Sequence, residues 1–297
     1  MHDRPQEELV RGHRIDRRHF LGSAAATGAF FAMHDVVGVA DQSTGAAPAQ
    51  PGRPRVLSLE LQSGAPLGDM KAFYGKTLDL AILEEKDDRF TIEAGETRLT
   101  FLGSSDTVDG RAPFYHFAFN IPENKILKAL EWQKARTPML PIPERNRAAG
   151  FPPEVVDYSH WNAHSIFFLD PAGNVVEYIA RHDLKNANGN AFSWTDILYA
   201  SEIALIVDDV ETEAARLAEV ADVTQYKGAT DQFMAMGDEY GLLLIMKRGR
   251  VIDFTSNPHN GVRVYRTGVT VRGPKTTTYK FEDYPYQLGV EERCSCA

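Results

Sequence analysis

The stretch SIFFLDPAGNVVEYIAR, Ser165 to Arg181, sets two apolar runs on either side of Asp170-Pro171-Ala172-Gly173-Asn174. Asp first, Pro second and Gly fourth are the residue choices of a type I turn, so the stretch reads as a β-hairpin. Its second strand carries Glu177 among Val175, Val176, Tyr178 and Ile179. A carboxylate in such a run either points to solvent or faces a polar cavity, where it becomes a candidate metal ligand or base.

The same order of elements lies upstream of the hairpin. Phe114 to Ile121 alternates, with His116, Ala118 and Asn120 on one face and Tyr115, Phe117, Phe119 and Ile121 on the other. Pro122 to Ala135 reads as a helix, Met139 to Ile142 as a short strand, and residues 143–163 as a long insertion. This β-α-β-β-β unit has a neighbour on each side. From Arg55, Leu57, Leu59 and Leu61 alternate with Ser58, Glu60 and Gln62. A helix over Pro66–Thr77 follows, then strands over Ala81–Glu84, Arg89–Glu93 and Arg98–Leu102. A third unit begins at Ser201, with a helix over Val210–Val220 and a hairpin over Phe233–Asp238 and Leu242–Lys247. After Arg248 two strands are expected, Val262–Val271 and Thr276–Phe281, with no helix between them. Repetition at about 60 residues is the main architectural signal. The fold class is α+β, built from tandem βαβββ units, with domains over 55–184 and 195–290.

The ends of the chain differ in kind. Arg17-Arg18-His19-Phe20-Leu21 precedes a short Ala/Gly-rich apolar run to Ala32. The run is too short to span a bilayer, and paired arginines before Phe-Leu match a twin-arginine export signal over 1–40. Residues 41–54 read as a linker. The expected location is therefore periplasmic or extracellular, with the twin-arginine machinery as a partner. The only cysteines, Cys294 and Cys296, lie in the last four residues, so no disulfide framework holds the fold. The net charge of −9 argues against a nucleic-acid partner, because counterion release needs a basic surface. A small-molecule ligand is expected, and a homodimer stays open.

The repeated units resemble the vicinal oxygen chelate superfamily of glyoxalases, extradiol dioxygenases and bleomycin-resistance proteins. The motifs that carry the resemblance are Phe73-Tyr74-Gly75-Lys76-Thr77-Leu78, His116-Phe117-Ala118-Phe119, and Asp170-Pro171-Ala172-Gly173-Asn174-Val175-Val176-Glu177. The resemblance implies that two units close a half-barrel around a divalent metal (Fe, Mn, Zn or Ni), with ligands on first and last strands. It places His116 and Glu177 at the second unit's ligand positions. The first unit's ligand position falls near Ser58, a poor ligand; Glu60 and Gln62 on the same face are the candidate substitutes, and the metal set is completed by Glu60 or by His164. His164, His160, Trp161 and Asn120 are the candidate substrate contacts. Glu202, on the first strand of the third unit, reads as a surface or pairing residue. Two functions follow: a metal-dependent lyase, isomerase or dioxygenase on a small oxygenated substrate, or a metal-free sequestering protein.

Overall fold

A computed structural model describes residues 56–252 and 261–292. The export-signal and linker readings and the cysteine tail lie outside the described residues. Alternating apolar residues produce strand β1 (Val56–Ser63), whose Leu59 and Leu61 are buried. Helix α1 (Leu67–Ala72) runs on into a π turn over Phe73–Thr77 and buries Met70, Phe73 and Tyr74. Strands β2 (Ala81–Lys86), β3 (Arg89–Ala94) and β4 (Thr97–Gly103) complete the first unit. The second unit comprises β5 (His116–Ile121), α2 (Ile126–Lys134), β6 (Val156–Tyr158), β7 (Ala163–Leu169) and β8 (Val175–Arg181). The third comprises β9 (Tyr199–Val207), α3 (Val210–Ala221), β10 (Gln225–Thr230), β11 (Phe233–Asp238) and β12 (Gly241–Lys247). A helix-free fourth set follows as β13 (Thr267–Gly273), β14 (Thr277–Lys280) and β15 (Tyr286–Glu292).

Three elements differ from the sequence reading. Residues 139–142 make only one isolated bridge, Met139 to Phe168, and the outer strand of the second unit comes from the insertion as β6. Strand β10 is polar and mostly exposed, so it carries little hydrophobic signal. The third strand of the last unit, β15, went unread although Tyr286, Leu288 and Val290 alternate inward.

The larger difference is how the units pair. One sheet has the order β10-β11-β12-β9-β5-β8-β7-β6 and the other β14-β15-β13-β1-β4-β3-β2. The second unit therefore pairs with the third, through antiparallel β5 and β9. The first pairs with the incomplete fourth, through antiparallel β1 and β13. The expected division at 184/195 runs through the middle of one sheet, and all described residues belong to one compact unit, 44–297. Each half-sheet keeps a parallel pair of first and last strands: β5 with β8, β9 with β12, β1 with β4, β13 with β15. Mixed sheets on tandem βαβββ units define an α+β fold of the glyoxalase half-barrel type.

A single buried cluster runs through both sheets and the helices, joining Leu59, Leu61 and Val269 to Phe117, Phe119, Ile203 and Leu205. Fully burying a side chain of this size contributes roughly 1.5–3 kcal/mol. A second cluster, with Ala118, Trp161, Phe167, Ile179, Tyr226, Leu242 and Leu244, covers the opposite face of the β5–β9 sheet. The functional side chains lie on this second face.

Candidate metal centre

The hairpin that opens the sequence argument also sets the register of the site. Asp170 O accepts from Gly173 N at 2.9 Å, and Gly173 has φ 80°, a left-handed conformation that favours glycine. Asp170 Oδ1 accepts from Ala172 N and Asn174 N, and its Oδ2 accepts from Asn174 Nδ2 and from the hydroxyl of Tyr74 at 2.7 Å. Asn174 Oδ1 in turn accepts from Tyr115 N at 2.8 Å, and Val175 N donates to Tyr115 O at 2.8 Å. The turn thus locks the start of β8 onto the start of β5.

With that register, Ala118 on β5 stands opposite Glu177 on β8 and opposite Glu202 on β9. Two carboxylates flank one small side chain on the same face, and His116 lies two residues earlier on that face. Ligand atoms of His116, Glu177 and Glu202 all lie within 4.8 Å of one another, and all three residues are buried. His116 Nδ1 is 3.0 Å from Val175 O, so it carries the proton and donates to that carbonyl. This leaves a lone pair on Nε2, which faces Glu177 Oε2 at 3.5 Å. Burial pulls the imidazole down to about 4, so the ring is neutral near pH 7. Burial, reinforced by the charge of Glu202, pushes the Glu177 carboxyl well above its usual range. Burial also raises Glu202, with the Arg181 guanidinium opposing it. Two lone pairs face each other across this gap, and only a positive centre between them relieves the repulsion: a proton on Glu177 or a cation. Glu177 Oε1 is buried and makes no hydrogen bond of good geometry among the described residues, although the Ser165 hydroxyl pulls the carboxyl partly back down. One imidazole with its far nitrogen anchored on a carbonyl, plus two carboxylates, is a donor set that fits a divalent transition ion.

The repeat also shows what the fourth position holds. Glu177 lies two residues beyond Val175, the partner of His116. The matching residue lies two beyond Leu242, the partner of Glu202, and is Leu244. The face therefore offers three ligands and one apolar side chain.

The sequence-derived candidates scatter around this centre. Glu60 sits on β1 in the other sheet, paired with Arg266 at 3.2 Å, at an open groove that also includes Ser58 and Thr270. Glu202 takes the place in the cluster that the sequence assigned to Glu60, and it is buried rather than on the surface. The reason is the pairing of the second unit with the third. His164 is paired with Ala180 on β8, so it faces away from Glu177; it stacks on Phe151 at 4.4 Å and contacts His182 Nε2 at 2.7 Å. His160 is exposed beside Tyr158 and Trp161. Trp161 is buried on the ligand face, with its indole N–H donating to Lys227 O at 3.1 Å. Asn120 is buried on the same face and holds Arg181, accepting from its Nε at 3.2 Å.

One residue beside this cluster escaped the sequence reading. Arg181 is wholly buried and its Nη2 donates to Glu202 Oε1. Its place on the Glu177 face was legible, four residues on in a period of two. Tyr158 is held protonated well past its usual range, by burial first and then by the charges of Glu177 and Glu202.

No protein-family model matches this sequence. Over 92 residues it is 32% identical to Glyoxalase 1 of Caenorhabditis elegans, a match covering 30% of this chain and 29% of that protein. The match thus spans under a third of that relative's length. Among solved structures, a candidate dioxygenase from Bacillus subtilis aligns over 82% of this chain and 86% of its own, at 13% identity and a TM-score of 0.51. Glyoxalase I from Zea mays aligns over 81% and 92%, at 11% identity and a TM-score of 0.46. The Bacillus subtilis likeness is one of fold, and it agrees with the half-barrel described above.

Proposed function

We propose that this protein is an exported, metal-dependent enzyme of the vicinal oxygen chelate type, a lyase, isomerase or dioxygenase acting on a small oxygenated molecule. The observation that carries the reading is the pair of facing acceptors, His116 Nε2 and Glu177 Oε2, with Glu202 completing a buried three-residue donor set. His116, Glu177 and Glu202 would hold Fe²⁺, Mn²⁺, Zn²⁺ or Ni²⁺. Such an ion, when bound, supplies a Lewis acid for adjacent substrate oxygens. Three protein ligands leave coordination positions for those oxygens. Leu242, Leu244 and Phe167 keep bulk water from the face. Tyr158, kept protonated by burial and by the charges of both carboxylates, can donate a hydrogen bond. Export rests on Arg17-Arg18 and the apolar run that follows.

Metal uptake tests the assignment. After chelation and reloading, the wild type is expected to take up one equivalent of Zn²⁺ or Mn²⁺ by elemental analysis. His116→Ala, Glu177→Gln and Glu202→Gln should each lower affinity by tenfold or more, on the order of 1.4 kcal/mol. Glu60→Gln should bind metal as the wild type does; equal losses at Glu60 and Glu202 would sink the assignment.

One observation favours a metal-free sequestering protein instead. Arg181 already neutralises Glu202, and Leu244 fills the fourth position. Under that reading the wild type takes up no metal yet binds a small aromatic ligand against Trp161 and Tyr226.

A further inference from the structure

Two of the three guanidinium nitrogens of Arg181 have a partner among the described residues. Nε donates to Asn120 Oδ1 and Nη2 to Glu202 Oε1, while Nη1 is buried with no partner. An unpaired cationic donor in the interior is costly, and native proteins seldom keep one without a use. The group is also held in place. Its Cζ lies 5.4 Å from the ring centre of Trp161 and 6.0 Å from that of Tyr226. Asn120, which braces Nε, donates to the Tyr199 hydroxyl at 3.0 Å and to Glu239 O at 2.9 Å. A guanidinium fixed from several sides, with one free fork, is preorganised for an oxygen anion.

Charge balance supports the same ligand. Glu177 and Glu202 bring two negative charges to this face. Arg181 brings one positive charge. These three groups sum to one negative charge when both carboxylates are ionised. A divalent ion on the three ligands would leave one uncompensated positive charge, which an anionic ligand removes. Trp161 and Tyr226 beside the guanidinium supply an apolar wall for the rest of that molecule.

We propose that Arg181 is the carboxylate-binding arm of the centre: the ligand is a small organic carboxylate, and Nη1 of Arg181 donates to a carboxylate oxygen while the metal holds neighbouring oxygens. This inference rests on the metal reading above and adds the chemical class of the ligand. It makes Arg181 a specificity-determining residue.

The test uses the zinc-loaded full chain with pyruvate and its neutral analogue pyruvamide as probes, titrated by calorimetry. Zinc itself prefers the anion, so the informative quantity is the change in preference between the wild type and Arg181→Gln. The preference for pyruvate should shrink by about tenfold in Arg181→Gln, the size of a charge-assisted hydrogen bond, and less in Arg181→Lys. An unchanged preference in Arg181→Gln, with zinc stoichiometry intact, overturns the inference and leaves the metal reading standing. So does a zinc-loaded wild type that binds neither probe. A wild type that takes up no zinc overturns both. Because Arg181→Gln leaves Glu202 unpaired and can lower folding yield, the wild type is also read directly. In zinc-loaded protein carrying ¹⁵N-arginine, pyruvate should shift one guanidinium resonance that Arg181→Lys removes. No such shift overturns the inference.

Discussion

Ala118 has the smallest side chain among the residues facing one another at the centre, and it stands between Glu177 and Glu202. Its size lets both carboxylates turn toward His116. At this scale the sequence was partly legible. His116 and Glu177 sit on faces that a period of two reveals, and so does Arg181. That Glu202 joins them depends on which strand lies beside β5, and no local pattern carries that. Asp170 makes a separate prediction. Burial lifts its carboxyl to about 6, and the hydrogen bonds from Asn174, Tyr74 and Ala172 oppose that rise. Below an unfolded pKa near 3.8 the group is neutral in both states and its contribution is complete. Between there and about 6 the unfolded chain releases a proton that the folded chain keeps, so stability falls as pH rises. The loss is on the order of 3 kcal/mol by linkage, and it levels off above the folded pKa. Urea denaturation at pH 4 and pH 7 should show this slope in the wild type and a flatter one in Asp170→Asn. An identical slope in both would refute it.

At the scale of elements, the hairpin was read correctly because turn chemistry is local. Asp, Pro and Gly at their positions fix the turn whatever surrounds it. What the sequence did not show is that Asn174 reaches across to Tyr115 and sets the β5–β8 register. Asn174→Ala leaves the buried Tyr115 N–H without its acceptor and removes a donor from Asp170. The expected cost is about 3 kcal/mol, measured by denaturant unfolding, with a weaker metal affinity in the folded fraction. Strands β6 and β10 were missed for a related reason. The first is only three residues long inside an insertion and the second is polar, so neither shows a run of alternation long enough to read.

For the whole molecule, the pairing of units decides the site. The β3–β4 turn of the first unit packs against the entry to β9. Glu96 N donates to Leu198 O at 2.9 Å, and Thr97 Oγ1 donates to Val56 O and accepts from Ala200 N. Gly95 has φ 57°, and a Cβ there would lie 1.9 Å from Leu198 O. Gly95→Ala should therefore cost on the order of 3 kcal/mol and lower the melting temperature sharply. A wild-type melting temperature in that variant would mean the two sheets do not meet this closely. The fragment 55–184, the domain expected from sequence, leaves β5 without β9 and lacks Glu202. It should bind no stoichiometric metal and should fail to unfold cooperatively, whereas 55–297 should bind metal and unfold in one cooperative transition. Circular dichroism and elemental analysis of the two decide the matter.

By itself the sequence determined the βαβββ repeat, the hairpin, and the faces on which His116 and Glu177 lie. All of these are set by interactions within a few residues or by a period of two. Only the tertiary structure decided that the second unit pairs with the third and the first with the fourth. It thereby placed Glu202, and not Glu60, beside His116 and Glu177, and brought Arg181 against Glu202. The physical reason is that similar repeats present similar edges, so local pattern leaves partner choice degenerate. Burial of Phe117 and Ile203 along one seam, and of Leu59 and Val269 along the other, settles it.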